Sequence, residues 1–157
     1  MSLNLYQEKR NVIRTDPAGK REKQTKNRFV IQKHQANQLH YDFRLEVGGV
    51  LKSWTIPKGI PPDAGVRRLA VEVEDHPVDY IDFSGVIPEG EYGDEMVEVW
   101  DKGSYEMKNQ TPNFLEFNLK GRKLAGEFAL IRMADKNWLF IRRKNKTSVA
   151  KASQNVF

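Results

Sequence analysis

Between residues 32 and 46 the chain reads Gln-Lys-His-Gln-Ala-Asn-Gln-Leu-His-Tyr-Asp-Phe-Arg-Leu-Glu. In its latter half every second residue is ionisable: His40, Asp42, Arg44 and Glu46. Such alternation predicts a strand, and alternate side chains of a strand share a face. One face would therefore carry an imidazole, a carboxylate and a guanidinium, with a second imidazole, His34, a little upstream. Two imidazoles and a carboxylate form a donor set with open coordination positions, and nitrogen and oxygen donors without sulfur suit Mn²⁺, Fe²⁺ or Zn²⁺. A guanidinium is a poor neighbour for a cation unless an anion lies between them. A phosphate oxygen meets that need, because arginine grips phosphate with a planar fork of donors. The competing reading is the solvated face of a half-buried sheet.

A second group of candidates follows. Lys58 sits in Pro57-Lys58-Gly59, and Arg68, Glu72 and Glu74 alternate with Leu69, Val71 and Val73. The run ends in Glu74-Asp75-His76-Pro77-Val78-Asp79-Tyr80. Taken singly, Lys58 and Arg68 read as surface charge and His76 as a loop histidine. All three histidines of the chain nonetheless fall in polar, strand-terminal contexts and none in an apolar run, which favours one shared site.

The elements that must position these groups read as strands. Alternating or β-branched and aromatic runs occur at Phe29–Gln32, Leu39–Val47, Val50–Ile56, Leu69–Val73, Met96–Trp100, Phe114–Leu119, Phe128–Met133 and Trp138–Arg142, separated by Gly and Pro. Gly48-Gly49 predicts a two-residue turn. That turn pairs Arg44 with Ser53 and Asp42 with Thr55, adding two hydroxyls to the polar row. It also sets Phe43 opposite Trp54 and Tyr41 opposite Ile56, and pairs Leu45 less comfortably with Lys52, a candidate strand end. Leu39, Tyr41, Phe43 and Leu45 form the expected core stripe. No sustained helical period occurs. Many short strands with frequent turns indicate an antiparallel barrel or sandwich.

Composition bounds the rest. The chain has 157 residues, 39% hydrophobic and 30% charged, enough for one core beneath a charged surface. No apolar run approaches the roughly 18 residues of a membrane span, and no signal-peptide segment is evident. Cysteine is absent, so disulfides and thiolate metal sites are excluded. The net charge of +5 is unevenly spread: residues 1–28 hold eight basic and three acidic residues, residues 142–157 five basic and none acidic, and the stretch between 13 basic and 18 acidic. Basic arms flanking a mildly acidic body fit segments that track a polyanion such as nucleic acid; solvated termini without a partner are the alternative. The expected organisation is a basic arm (1–27), a β-domain (28–143) and a basic tail (144–157), in a cytoplasmic, nucleoid-associated protein.

The strings QKHQANQLHYDFRLE, LKSWTIPKG, RRLAVEVEDHPVDYIDFSGVIPEGEYG and VEVWDKGSYE, in this order, resemble the 3′-phosphoesterase domain of the bacterial and archaeal DNA ligase D end-joining system. The resemblance runs from about Tyr6 to Arg143. It implies an all-β fold, an antiparallel β-barrel of about eight strands with an irregular or short-helical N-terminal arm, as a stand-alone phosphoesterase. It implies a Mn²⁺-dependent enzyme, with Co²⁺ or Zn²⁺ as other candidate metals. Such an enzyme removes a 3′-terminal ribonucleoside and then a 3′-phosphate from DNA ends, leaving a 3′-OH. Carried onto this sequence, His34, His40 and Asp42 would bind the metal. Arg44, Lys58, Arg68 and His76 would surround the scissile phosphate, with Tyr80 and Ser53 supporting and Arg10 acting from the arm. The implied partners are DNA or RNA–DNA 3′ ends at primer-template junctions, a DNA ligase and other end-joining factors. No membrane association is expected, and the protein should be a monomer.

Two positions depart from the family pattern. Asn11 stands where an acidic residue is usual, with Asp16 or Glu8 as candidate substitutes, and Gly93-Asp94-Glu95 where small residues are usual. A cation there would polarise phosphate and acidify water, the basic side chains would offset transition-state charge, and His76 could act as acid or base near neutrality. A 2′-OH contact would fall to Ser53 or Glu8. The competing functions are a non-haem iron oxygenase, which uses similar ligands, and a non-catalytic nucleic-acid-binding barrel with Trp54, Tyr80 and Trp100 as stacking platforms.

Overall fold

Gly48 and Gly49 take φ values of +59° and +87°, the left-handed conformation that a tight two-residue hairpin demands and that glycine adopts without steric cost. They join β2 (Leu39–Val47) to β3 (Val50–Ile56) in the register expected from the alternation, including Asp42 opposite Thr55 and Arg44 opposite Ser53. Pairing does not stop at Leu45–Lys52 but continues to Val47–Val50. This hairpin belongs to a computed structural model that describes residues 27–90 and 93–144. Arg10, with Glu8, Asn11, Asp16 and the expected short helix of the arm, lies outside the described residues, as does the tail beyond Lys144.

The remaining strands are β1 (Arg28–Gln35), β4 (Arg67–Pro77), β5 (Gly85–Gly90), β6 (Gly93–Thr111), β7 (Phe114–Gly121), β8 (Ala125–Ala134) and β9 (Asn137–Arg142). They pair in the order β1-β2-β3-β4-β9-β8-β7-β6, and β1 pairs again with β6. The fold is therefore all-β, a closed antiparallel barrel of eight strands, as expected. The ninth strand, β5, lies outside the ring along the first part of β6. Closure leaves no free edge on the ring. Among the described residues no helix is long and apolar enough to cross a membrane.

The interior is aromatic. Phe29, Phe43, Trp54, Phe117, Phe128 and Phe140 are fully buried, with Phe43 stacked on Phe140 at 4.9 Å and on Phe117 at 5.7 Å between ring centroids. A second, smaller cluster covers the outer wall: Val30, Leu51, Tyr80 and Ile81, with Phe83 and Val99 against them. Tyr80 and Ile81 come from a short 3-10 helix, Val78–Asp82, that the sequence did not announce. Strand β2 is thus buried on both faces in its second half. Its core stripe begins at Tyr41 rather than Leu39, which is 49% exposed at the strand's start.

Strand β4 turns Arg68 and Ala70 toward the core. Arg68 and Ala70 pair with Phe140 and Trp138, both in the core, whereas Leu69 is 44% exposed. Directly opposed residues share a face, so Arg68 turns toward the barrel interior and Leu69, Val71 and Val73 form the outer side.

Candidate metal centre and phosphate pocket

The outward row of β2 is not a wet face. Asp42, Arg44 and Glu46 are each about 5% exposed or less, and Gln32, opposite Asp42 on β1, is fully buried. A buried charge needs partners, and these residues supply them to one another.

His34 faces His40 across the β1–β2 pair, their ring centroids 4.5 Å apart. The His34 Nδ1 lies 3.2 Å from Asp42 Oδ2, and the His40 Nε2 lies 3.7 Å from Asp42 Oδ1. One donor atom from each of His34, His40 and Asp42 falls within 4.8 Å of the others. The His40 Nδ1 lies 3.2 Å from the Gln38 carbonyl, which aims Nε2 toward Asp42. Thr55 donates its hydroxyl to Asp42 Oδ1 at 2.9 Å. Burial acts to raise the Asp42 carboxyl, but the His34 hydrogen bond, the Arg44 and His40 charges and the Thr55 hydroxyl outweigh it and hold the group below its ordinary value. His34 is held above its ordinary value, chiefly by its hydrogen bond to Asp42, against burial and with help from Glu95.

Arg44 joins this donor set to the second cluster. Its Nε donates to Gln32 Oε1 at 2.7 Å, its Nη2 lies 3.5 Å from Asp42 Oδ2, and its Nη1 lies 3.2 Å from His76 Nδ1. Gln32 in turn donates to the carbonyls of Tyr80 and Phe83, so one amide fixes both the guanidinium and the covering helix. Arg44 stacks over the Tyr80 ring, its Cζ 4.9 Å from the centroid. The His76 Nδ1 also lies 3.0 Å from the Glu74 carbonyl. Those two partners demand opposite tautomers, because the guanidinium can only donate and the carbonyl only accept. Burial first, then the Arg44 charge, pushes His76 down to about 4.

The structure thus brings together His34, His40, Asp42, Arg44, His76 and Tyr80. Ser53 is close in register, but its hydroxyl donates to the Leu51 carbonyl of its own strand at 3.0 Å. Glu46 closes off the far end of the row in an ion pair with Arg28 at 2.8 Å. Lys58 is exposed in the connection after β3, at the barrel end from which β2 starts and β4 leaves. Arg68 is at that end too, on the inner face. Among the described residues neither makes a hydrogen bond or ion pair with the cluster, and the Arg68 Nε is buried without a partner. Thr55 falls on Asp42 as the hairpin register predicted, whereas two contributors were not singled out from sequence: Gln32, and Glu95, whose Oε1 lies 2.8 Å from His34 Nε2. Gln32 was within reach of the pattern, lying two residues before His34 on the same face of β1. Glu95 was visible only as a departure from a run of small residues.

Fold and side-chain placement define an antiparallel β-barrel protein whose outer wall brings two histidines and an aspartate together beside a buried guanidinium. Residues 32–132 match the sequence profile of the DNA ligase D 3′-phosphoesterase domain, and the chain belongs to that family. It is 43% identical over 156 residues to the multifunctional non-homologous end joining protein LigD of Pseudomonas aeruginosa, a match covering 91% of this chain and 19% of that protein. Against the multifunctional non-homologous end joining DNA repair protein LigD of Mycobacterium tuberculosis it is 47% identical over 124 residues, covering 76% and 16%. Against its counterpart in Mycolicibacterium smegmatis it is 42% identical over 158 residues, covering 92% and 21%. The chain spans about a fifth of the length of these relatives.

Proposed function

We propose that this protein is a divalent-metal-dependent phosphoesterase, with Mn²⁺ as the expected ion, that heals DNA 3′ ends. It would remove terminal 3′-ribonucleosides and 3′-phosphates and leave a 3′-OH for an end-joining ligase. The family supports phosphoester chemistry, and the names of its relatives support the end-joining setting. The observation that carries the reading is the convergence of His34, His40 and Asp42 within 4.8 Å, with Arg44 and His76 immediately beside them.

The donor set fits such an ion: two imidazoles and one carboxylate, the carboxylate already ionised and buried. His34, His40 and Asp42 would hold it, and a bound divalent cation supplies Lewis acidity toward phosphate and water. The chain's own groups do the rest. Arg44 has five N–H donors; its Nε donates to Gln32, its Nη1 faces His76 and its Nη2 forms an ion pair with Asp42, and its remaining N–H groups would serve phosphate oxygens. Its rigid anchoring means little reorganisation is needed as charge develops, which is where such donors act most strongly. The neutral His76 has its Nδ1 in use, leaving Nε2 to receive or donate a proton at a substrate oxygen according to which partner holds Nδ1. Lys58, on a flexible stem at the same end of the barrel, would add positive charge near the nucleic-acid strand. The guanidinium 3.5 Å from Asp42 suits a phosphate better than dioxygen activation. A stacking platform is ruled out at Trp54, which is fully buried inside the barrel.

The test is a labelled primer-template ending in a 3′-phosphate or a single 3′-ribonucleotide, incubated with Mn²⁺. Conversion to a 3′-OH end, its loss with a chelator and its loss in His40→Ala with an unchanged thermal melt are expected. No conversion with Mn²⁺, Co²⁺ or Zn²⁺, or full turnover by His40→Ala, would overturn the reading.

A further inference from the structure

Glu95 lies two residues before Val97 on β6, and Val97 is the residue opposite His34 in the β1–β6 pair. Residues two apart on a strand share a face, so Glu95 is the diagonal neighbour of His34, a span that a glutamate side chain bridges. Strand β5 holds this part of β6 through the Ile87–Glu95 pair. The Glu95 side chain is 12% exposed, and its Oε1 lies 2.8 Å from His34 Nε2. The other ring nitrogen, Nδ1, faces Asp42 at 3.2 Å. The imidazole is therefore gripped at both nitrogens, by different strands and different carboxylates. Glu95 is also outside the group whose donor atoms converge, which comprises His34, His40 and Asp42 among the described residues.

A carboxylate can only accept a hydrogen bond, so in the metal-free protein Asp42 and Glu95 each accept from one ring nitrogen of His34; a cation taking Nδ1 would displace only the proton facing Asp42, while Glu95 keeps the one on Nε2. A partner of this kind behind a metal-binding histidine fixes its tautomer and ring plane and raises its basicity; losing one typically weakens metal binding about 10- to 100-fold. We infer that Glu95 is a positioning residue for the proposed metal centre: it locks His34 as an Nδ1 donor and tightens the binding of a divalent cation. This rests on the reading of His34, His40 and Asp42 as metal ligands. It adds a carboxylate at a position where the family resemblance leads one to expect a small residue.

The experiment measures Mn²⁺ alone binding to the full chain, by the electron paramagnetic resonance signal of the free ion. The proteins compared are the wild type, His34→Ala, Glu95→Gln and Glu95→Leu. The His34 tautomer is read from imidazole ¹⁵N shifts of the Zn²⁺-loaded protein, Zn²⁺ standing in for paramagnetic Mn²⁺. Glu95→Gln preserves shape and an acceptor oxygen but not charge, so its Kd should rise roughly three- to tenfold with the Nε2–H tautomer kept. Glu95→Leu removes the acceptor; its Kd should rise about 10- to 100-fold and the single tautomer should be lost. If the wild type binds Mn²⁺ and His34→Ala does not, while both Glu95 variants bind within twofold of wild type, the role of Glu95 is overturned and the metal centre stands. A weakened Glu95→Leu that keeps the Nε2–H tautomer also overturns the positioning role. If the wild type binds no better than His34→Ala, the metal centre itself falls, and this inference with it.

Discussion

In an Arg44→Met variant the His76 imidazole would lose the cation 3.2 Å from its Nδ1 while remaining under Tyr80, whose ring centre lies 5.0 Å away. Burial and that guanidinium, in this order, push His76 down from 6.5 to about 4. Between those values the folded protein binds fewer protons at this site than the unfolded chain. The stability that His76 contributes is therefore complete above 6.5 and is lost as the pH falls toward about 4. At about 1.4 kcal/mol per tenfold change, the full lowering is worth about 3 kcal/mol. Part of the ring is exposed and screened by water, so about 2 kcal/mol of linked stability should be gone by about pH 4.5. The chain has three histidines, so NMR titration of their Cε1 protons can follow each one. The expected wild-type midpoint for His76 is near 4; in Arg44→Met it should lie higher but stay below 6.5, because burial persists. Urea unfolding at pH 7 and about pH 4.5 should show the wild type losing about 2 kcal/mol more than His76→Gln. His34, held above its ordinary value, works in the opposite direction and loses its contribution as the pH rises, so residue-resolved titration keeps the two apart. A wild-type midpoint near 6.5, or one that Arg44→Met leaves in place, would refute the electrostatic account of the pocket.

Two further predictions concern the frame that holds the site. The buried Asp101 carboxylate accepts from the backbone N–H groups of Lys102, Arg122, Lys123 and Leu124 at 2.9 to 3.1 Å; Asp101→Ala should cost about 4 kcal/mol in urea unfolding, and a loss under about 1 kcal/mol would contradict its role as anchor of the β7–β8 turn. At Gly103 an added methyl would run into the Lys120 carbonyl, where β6 crosses β7 closely; Gly103→Ala should lose about 3 kcal/mol or fail to fold, as read from its thermal melt.

The β2–β3 hairpin was legible down to its register because two local signals agreed. Gly48-Gly49 set the turn, and the alternation from His40 to Glu46 set the faces. Elsewhere local signals were weak or misleading. The second half of β6 carries Lys102, Glu106, Lys108 and Gln110 at strand positions, and such a polar stretch shows no apolar alternation to read. The 3-10 helix spans five residues, too few to display a period. On β4 the alternation of Arg68 and Glu72 with Leu69, Val71 and Val73 did not settle which set faces inward, and the ring turns Arg68 and Ala70 there. That orientation follows from pairing with β9, a contact between segments some 70 residues apart. The donor set itself was readable, since His34, His40 and Asp42 lie within nine residues on two strands of one hairpin. Its cover was not, because Tyr80 and Ile81 reach it only through the closed fold.

That cover decides how the site should behave. Asp42 and Arg44 cancel one another's charge, 3.5 Å apart and almost removed from water. On the proposed reading, a divalent cation arriving alone would place two positive charges near Arg44, at roughly 3 kcal/mol per unit charge for about 5 Å and an effective dielectric of about 20. A phosphate dianion arriving alone would meet Asp42 with a similar penalty. Together the two ligands cancel as the residues do, so each removes most of the other's cost, and the coupling must be reciprocal. On an open surface an effective dielectric nearer that of water would cut these terms to roughly a quarter. Here β2 is buried on one side by Phe43 and Leu45 in the barrel and faces Tyr80 and Ile81 on the other. A sheet with one wet face could display the same His40, Asp42, Arg44 and His76, but on this reading it would couple metal and phosphate far more weakly.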